Sequence, residues 1–195
     1  MASELDVDWS QARRELEAIY SELDGRLSGL TQNLDLPCHR GCSACCHESV
    51  FLTPLEFLFA WEYVQDTFSA SDRDTVIQRG LSLYEEHRER ILALEEAPVA
   101  EHDAIARELK FTCPLLGADG GCRIYPAREL YARLFGCSFN DAGGVYGCHL
   151  VGAHLGGKIV TLPRVRSWGQ KLGALPLTFK RQVYPFWIHW LFGAE

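Results

Sequence analysis

Residues 37–57 read PCHRGCSACCHESVFLTPLEF, and two signals in this stretch set the architecture. Its first half places four cysteines, Cys38, Cys42, Cys45 and Cys46, within nine residues. Its second half is a helix start: Thr53 is a natural N-cap, Pro54 suits the first helical position, and Glu56 supplies the acceptor of a capping box. A thiol-rich loop therefore runs directly into a helix.

Upstream, residues 9–30 read as an amphipathic helix. Trp9, Ala12, Leu16, Ile19, Leu23, Leu27 and Leu30 recur at spacings of three and four, and Asp8 with Gln11 resembles a capping box. Downstream of Thr53, Leu55, Leu58 and Phe59, with Trp61 and Val64 less regularly, give the second helix a buried side. A third helix fits residues 71–96, with Val76, Ile77, Leu81, Tyr84, Ile91 and Leu94 as its stripe, and Pro98 prevents its continuation.

Beyond Pro98 the pattern breaks up. Residues 109–116 (LKFTCPLL) and 158–165 (KIVTLPRV) suit short strands, and 117–121 (GADGG) suits a turn. Residues 125–135 suit a brief helix, with Pro126 in its first turn and Gly136 just past its end. The frequent glycines of 137–157 predict irregular loop, and the aromatic end, 177–192, predicts a short core-packing helix interrupted by Pro185. The expected fold is mainly α: one small helical domain over residues 1–195. Its irregular, glycine-rich, cysteine-containing half is stabilised by a metal or iron–sulfur centre. The alternation of a parallel α/β sheet is absent.

Composition narrows the function. The 195 residues are 47% hydrophobic and 23% charged, a globular balance. Lys and Arg total 19 against 26 Asp and Glu, a net charge of −7, which argues against nucleic-acid binding by general electrostatics. No apolar run approaches the ~20 residues of a membrane span, and the N-terminus shows no secretory signal, so a cytoplasmic location is expected.

Eight cysteines in a reducing compartment point to metal or redox chemistry rather than disulfides. Short separations let several sulfurs of residues 38–46 curl onto one centre, and thiolates suit zinc, iron or an iron–sulfur cluster. Gly41 permits the curl. Cys113, Cys122, Cys137 and Cys148 are more dispersed. The eight thus form two four-sulfur sites or one larger cluster. Thiolates concentrate negative charge, and Arg123 and Arg128, with Arg40 and Arg133 behind them, are placed to offset it. His39, His47, His149 and His154 lie near cysteines, with His149 the main alternative ligand.

Two segments together resemble the YkgJ family of cysteine-cluster proteins, described as a zinc- or iron-chelating domain. Residues 37–57 resemble its CxxxCxxCC opening. Residues 113–133, CPLLGADGGCRIYPARELYAR, resemble its second signature, roughly CPxL…CxIYxxRPxxCR. The resemblance covers about residues 38–137 and implies family positions for Cys38, Cys42, Cys45, Cys46, Cys113, Cys122, Tyr125, Arg128 and Arg133. Glu129 stands where the family has proline, and Ala132 where it has cysteine. That loss implies either an incomplete site or a substitute ligand, with Cys137 slightly favoured over Cys148.

The leading expectation is a metal-binding protein that joins residues 38–46 to Cys113 and Cys122 at one centre. Two alternatives stand beside it: a redox or methyl-transfer enzyme (or enzyme subunit) using the cluster, and a non-catalytic metal-handling module. The CxxxCxxC spacing of Cys38, Cys42 and Cys45 also resembles radical S-adenosylmethionine enzymes. Ala44 where those have an aromatic residue, and the missing βα alternation, speak against that match.

Overall fold

The structure is a computed structural model and describes residues 8–38, 41–98, 101, 105 and 108–193. It is mainly helical. Among the described residues the α-helices are α1 (Trp9–Thr31), α2 (Pro54–Thr67), α3 (Ala70–Glu96), α4 (Leu130–Leu134), α5 (His149–Leu155), α6 (Val165–Gly173) and α7 (Tyr184–Phe192). The two strands, β1 (Phe51–Leu52) and β2 (Gln182–Val183), pair antiparallel with Phe51 opposite Val183.

The three long helices follow their sequence signals. Asp8 caps α1 by accepting the Gln11 N–H at 3.0 Å, but the Gln11 amide donates to Glu15, so the capping box is only half made. Ala12, Leu16, Leu23 and Leu27 are buried as the stripe predicts, and Tyr20 joins them. At α2 the capping box is complete. Phe57 and Ala60 prove more buried than Leu58 and Phe59, because α2 is covered by neighbours on several sides. Ser69 caps α3, which ends at the expected place before Pro98.

Two main cores result. One joins Phe57, Trp61, Val64, Val76, Trp187 and Ile188 from α2, α3 and α7 with Leu115 and Ile124 of the irregular half. The other joins the α1 stripe and Leu55 to Leu130 and Leu134 of α4 and Trp168 and Leu172 of α6. Each such buried side chain contributes roughly 1.5–3 kcal/mol through removal of apolar surface from water. Both cores draw on α2 and on the irregular half, so the segments carrying the cysteines rest on the helices from two directions.

The later chain departs from the sequence reading in four places. Residues 109–116 and 158–165 form no strand; only isolated bridges, Leu116 to Cys122 and Phe139 to Arg164, occur there. Residues 125–135 split into a 3-10 turn, Tyr125–Ala127, and α4, because Arg128 and Glu129 adopt extended backbone between them. Residues 149–155 form α5 inside the stretch expected to be loop: Val151 and Leu155 bury one face despite the surrounding glycines. Pro185 does not interrupt the last helix but starts it, within the first two positions of α7, where its missing N–H costs nothing. The aromatic end packs into the core as expected, with the Trp187 indole donating to the Leu52 carbonyl at 3.0 Å. No helix among the described residues is long and apolar enough to cross a membrane.

Candidate metal centre

The first cysteine segment turns at Gly41, whose φ of +90° is left-handed, and closes as a 3-10 turn over Ala44–His47. The second is a tight turn in which Gly117 N–H donates to the Gly121 carbonyl at 2.9 Å and Asp119 caps Gly121. The two segments touch at two points. Cys113 N–H donates to the Cys46 carbonyl at 2.7 Å, and Gly120 packs so close that a Cβ there would stand 3.1 Å from the Gly41 oxygen. Only glycine fits this approach with a φ of +74°.

Between the segments lies a cavity of about 650 Å³. Cys38, Cys42, Cys45, Cys46, Cys113, Cys122 and Cys148 all line it, with Arg128, Glu129, Ala132 and Tyr184. Cys137 stands beside Cys38, and the two thiols act on each other. The eight cysteines are free; Cys46 and Cys148 are buried, and Cys38 is exposed. Cysteines spread over 111 positions of sequence thus gather on one wall system.

The electrostatics divide them. Cys45, Cys46, Cys113 and Cys122 act on one another, forming an inner group. Cys38, Cys137 and Cys148 form an outer group, linked to the inner one through Cys45. The S–H of Cys46 hydrogen-bonds to Cys45, which raises the Cys46 thiol and lowers the Cys45 thiol. Burial raises Cys113 and pushes Cys122 up to about 11. Among the described residues no three His, Cys, Asp or Glu side chains are arranged to hold a metal ion as they lie. The thiols stand around the cavity.

Arg128 and Arg123 behave differently. The Arg128 guanidinium lies 4.0 Å from the Tyr125 ring centre, and its charge lowers Cys38, Cys45, Cys122 and Cys137. Its Nε is buried without a hydrogen-bond partner. Arg123 borders the same cavity, but its guanidinium lies over Phe68 and pairs with Asp72 at 3.1 Å, so its charge is committed elsewhere. Arg133 is buried against Tyr20 and bonded to Asp24 and the Arg128 carbonyl, a framework role.

The histidines stand outside the thiol wall. His149 is exposed at the start of α5, His47 faces Thr112, and His154 meets the Leu34 carbonyl. His39 and Arg40 lie outside the described residues. The residue missed by sequence reading is Glu129. Its carboxyl is buried at 4% exposure and accepts the Tyr184 hydroxyl at 2.7 Å, and burial pushes both groups upward. The cue was its position between Arg128 and an apolar helix, where a solvated charge has no room.

The donor set is that of a soft or borderline metal: several thiols in a partly buried pocket, with a guanidinium beside them to balance thiolate charge. No family model, no curated protein and no solved structure matches the chain.

Proposed function

We propose that this chain is a cytoplasmic thiolate metal-binding protein of the cysteine-cluster type that its two motifs resemble, holding zinc or iron. The observation that carries the reading is the gathering of seven free cysteines on the wall of one cavity. Cys45, Cys46, Cys113 and Cys122 are the thiols that would hold the metal, and Arg128 would offset their charge. A bound metal would cross-link residues 38–46 to the 113–122 turn, and its binding energy would act as folding energy for the irregular half.

Anaerobic purification followed by elemental analysis and visible absorption tests the reading. Stoichiometric zinc or iron is the expected result; iron–sulfur absorption would identify a cluster. Native mass spectrometry of folded, metal-free protein from metal-replete growth would overturn it.

The exposure of Cys38 favours a second reading within the same chemistry, a metal-handling module. An accessible thiol at the rim gives an incoming donor a first sulfur to exchange with. Rapid loss of the metal to a competing chelator supports this version, and retention over hours favours a structural centre.

A further inference from the structure

The thiol cavity is far larger than a metal ion needs. It holds about 650 Å³, whereas one ion asks for little more than the roughly 30 Å³ share of a single water. That volume falls within the range of small-molecule sites, about 300–1,000 Å³. The walls suit such a ligand as well, with Val50, Phe111, Phe135 and Ala132 supplying apolar surface between the polar groups. Cys38 and Tyr125 line the cavity and are exposed, which marks its open side.

Arg128 brings an uncommitted cation to this space. Its neighbours are engaged: Arg123 pairs with Asp72 at 3.1 Å, and Arg133 with Asp24. Among the described residues Arg128 forms no salt bridge, and its buried Nε meets no acceptor, oxygen or sulfur. Glu129, next in the chain, acts on it through charge, but that carboxyl turns to the Tyr184 hydroxyl. The Tyr125 ring, whose centre lies 4.0 Å from the guanidinium carbon, holds the planar fork in place before any ligand arrives. A buried N–H without an acceptor is costly, and a preordered guanidinium suits a carboxylate.

We propose that the cavity is also a binding site for a small organic monocarboxylate with an apolar body, the carboxylate held by the Arg128 guanidinium and the body by the apolar wall. A single negative charge is specified because Glu48, Asp119 and Glu129 line the same cavity, so a second charge would face an acid. The site goes beyond the metal reading and needs no metal to form its contacts.

Isothermal calorimetry with naphthylacetate and its neutral amide, naphthylacetamide, tests this on the purified full chain, with metal content measured in each sample. The parent should bind the carboxylate at least about tenfold tighter than the amide. Arg128→Gln should erase that preference while leaving the affinity for the amide as it was, a result that general loss of the cavity would not give. Arg128→Lys, which keeps the charge but not the fork, should keep part of the preference, and it decides the matter should the glutamine variant not fold. No binding by the parent, equal affinity for the two compounds, an undiminished preference in either variant, or loss of both compounds together in the variants overturns the proposal. So does a preference that disappears on chelation while the amide still binds, since the metal would then hold the carboxylate. A parent that prefers the carboxylate but carries no zinc or iron keeps this site and overturns the metal reading alone.

Discussion

Glu56 on α2 accepts the backbone N–H of Leu130, 74 residues later, at 2.8 Å. The same carboxylate takes the Thr53 N–H at 2.9 Å and the Tyr20 hydroxyl at 3.0 Å. One buried side chain therefore caps α2, fixes α1 against it and holds the first residue of α4. Since α4 follows directly on Arg128 and Glu129, the helical half positions one wall of the thiol cavity through this single group.

Removing it should be expensive. Glu56→Ala leaves the Leu130 N–H and the Tyr20 hydroxyl buried without an acceptor and opens the capping box. A loss of about 3 kcal/mol is expected from one lost cap and two orphaned donors. Glu56→Gln, which keeps one acceptor oxygen, should lose roughly half as much on the same grounds. Urea denaturation measures both, and a loss under ~0.5 kcal/mol for the alanine variant would show the network to be dispensable.

These residues also show what the sequence made legible. The Thr53–Glu56 box was readable because a capping box is local, spanning four residues. The reach of Glu56 to Leu130 was not, because nothing local distinguishes a carboxylate that also serves a distant strand of chain. Phe57 was missed as core because α2 is covered from several sides and keeps no single clean stripe, whereas Tyr20 simply continues the α1 stripe four residues after Leu16. The convergence of the cysteine segments was readable from thiol spacing and from the two motifs together. The inner and outer grouping was not, since it depends on how Gly41 and Gly120 let two turns meet. Glu129 was legible only as a departure from the family pattern, because its bond to Tyr184 spans 55 residues.

Gly80 marks the tightest helix crossing. A Cβ at this position of α3 would stand 2.8 Å from Cγ2 of Ile188, which is itself buried at 1% exposure and has little room to yield. Gly80→Ala should destabilise by about 1–3 kcal/mol through overpacking. Gly25→Ala on α1 meets nothing within 4 Å and should instead stabilise by roughly 0.5–1 kcal/mol through helix propensity. Thermal melts of the two variants should move in opposite directions. A shared direction would show that the α3–α7 contact is looser than described.

Asp72 provides a pH signature away from the thiols. The hydrogen bond from Arg123, with help from Ser69, holds its carboxyl below the ordinary value of 3.8. A depressed folded-state value means that its contribution is present above the unfolded value and lost as pH falls through the folded one. The stability gap between the parent and Asp72→Asn should therefore be constant near neutrality and close below about pH 4. Melting temperatures from pH 6 to pH 3 check this, and a gap that widens on acidification would reverse the sign of the interaction. Because the pair is exposed, salt should narrow the gap at neutral pH as well.

Metal removal should loosen one part of the chain selectively. Residues 110–150 contain the 113–122 turn and the Gly136–Gly147 loop, which lie outside the long helices. After chelation, hydrogen exchange should rise there while the buried faces of α1 and α3 keep their protection. Unchanged exchange across 110–150 after verified metal loss would separate the metal from the fold.

The outer thiols provide the final test, because two of them compete for the role left open by Ala132. Cys137 is the nearer in sequence, but its sulfur is turned to Cys38. Cys148 lines the cavity and is buried, held there by the close approach of Gly136, whose added Cβ would meet the Cys148 Cβ at 3.1 Å. Neither belongs to the inner group. Separate Cys137→Ser and Cys148→Ser variants should therefore keep the metal content of the parent, whereas Cys113→Ser and Cys122→Ser should lose it. Stability should separate the outer pair in turn. Serine at 137 keeps a partner for Cys38 and should cost less than about 1 kcal/mol, while serine at 148 places a hydroxyl among Val151, Leu155 and Leu162 and should cost about 1–3 kcal/mol. A Cys137→Ser protein with half the metal of the parent or less would place a ligand in the outer group, and the division of the thiols into two sets would then be functional in both halves.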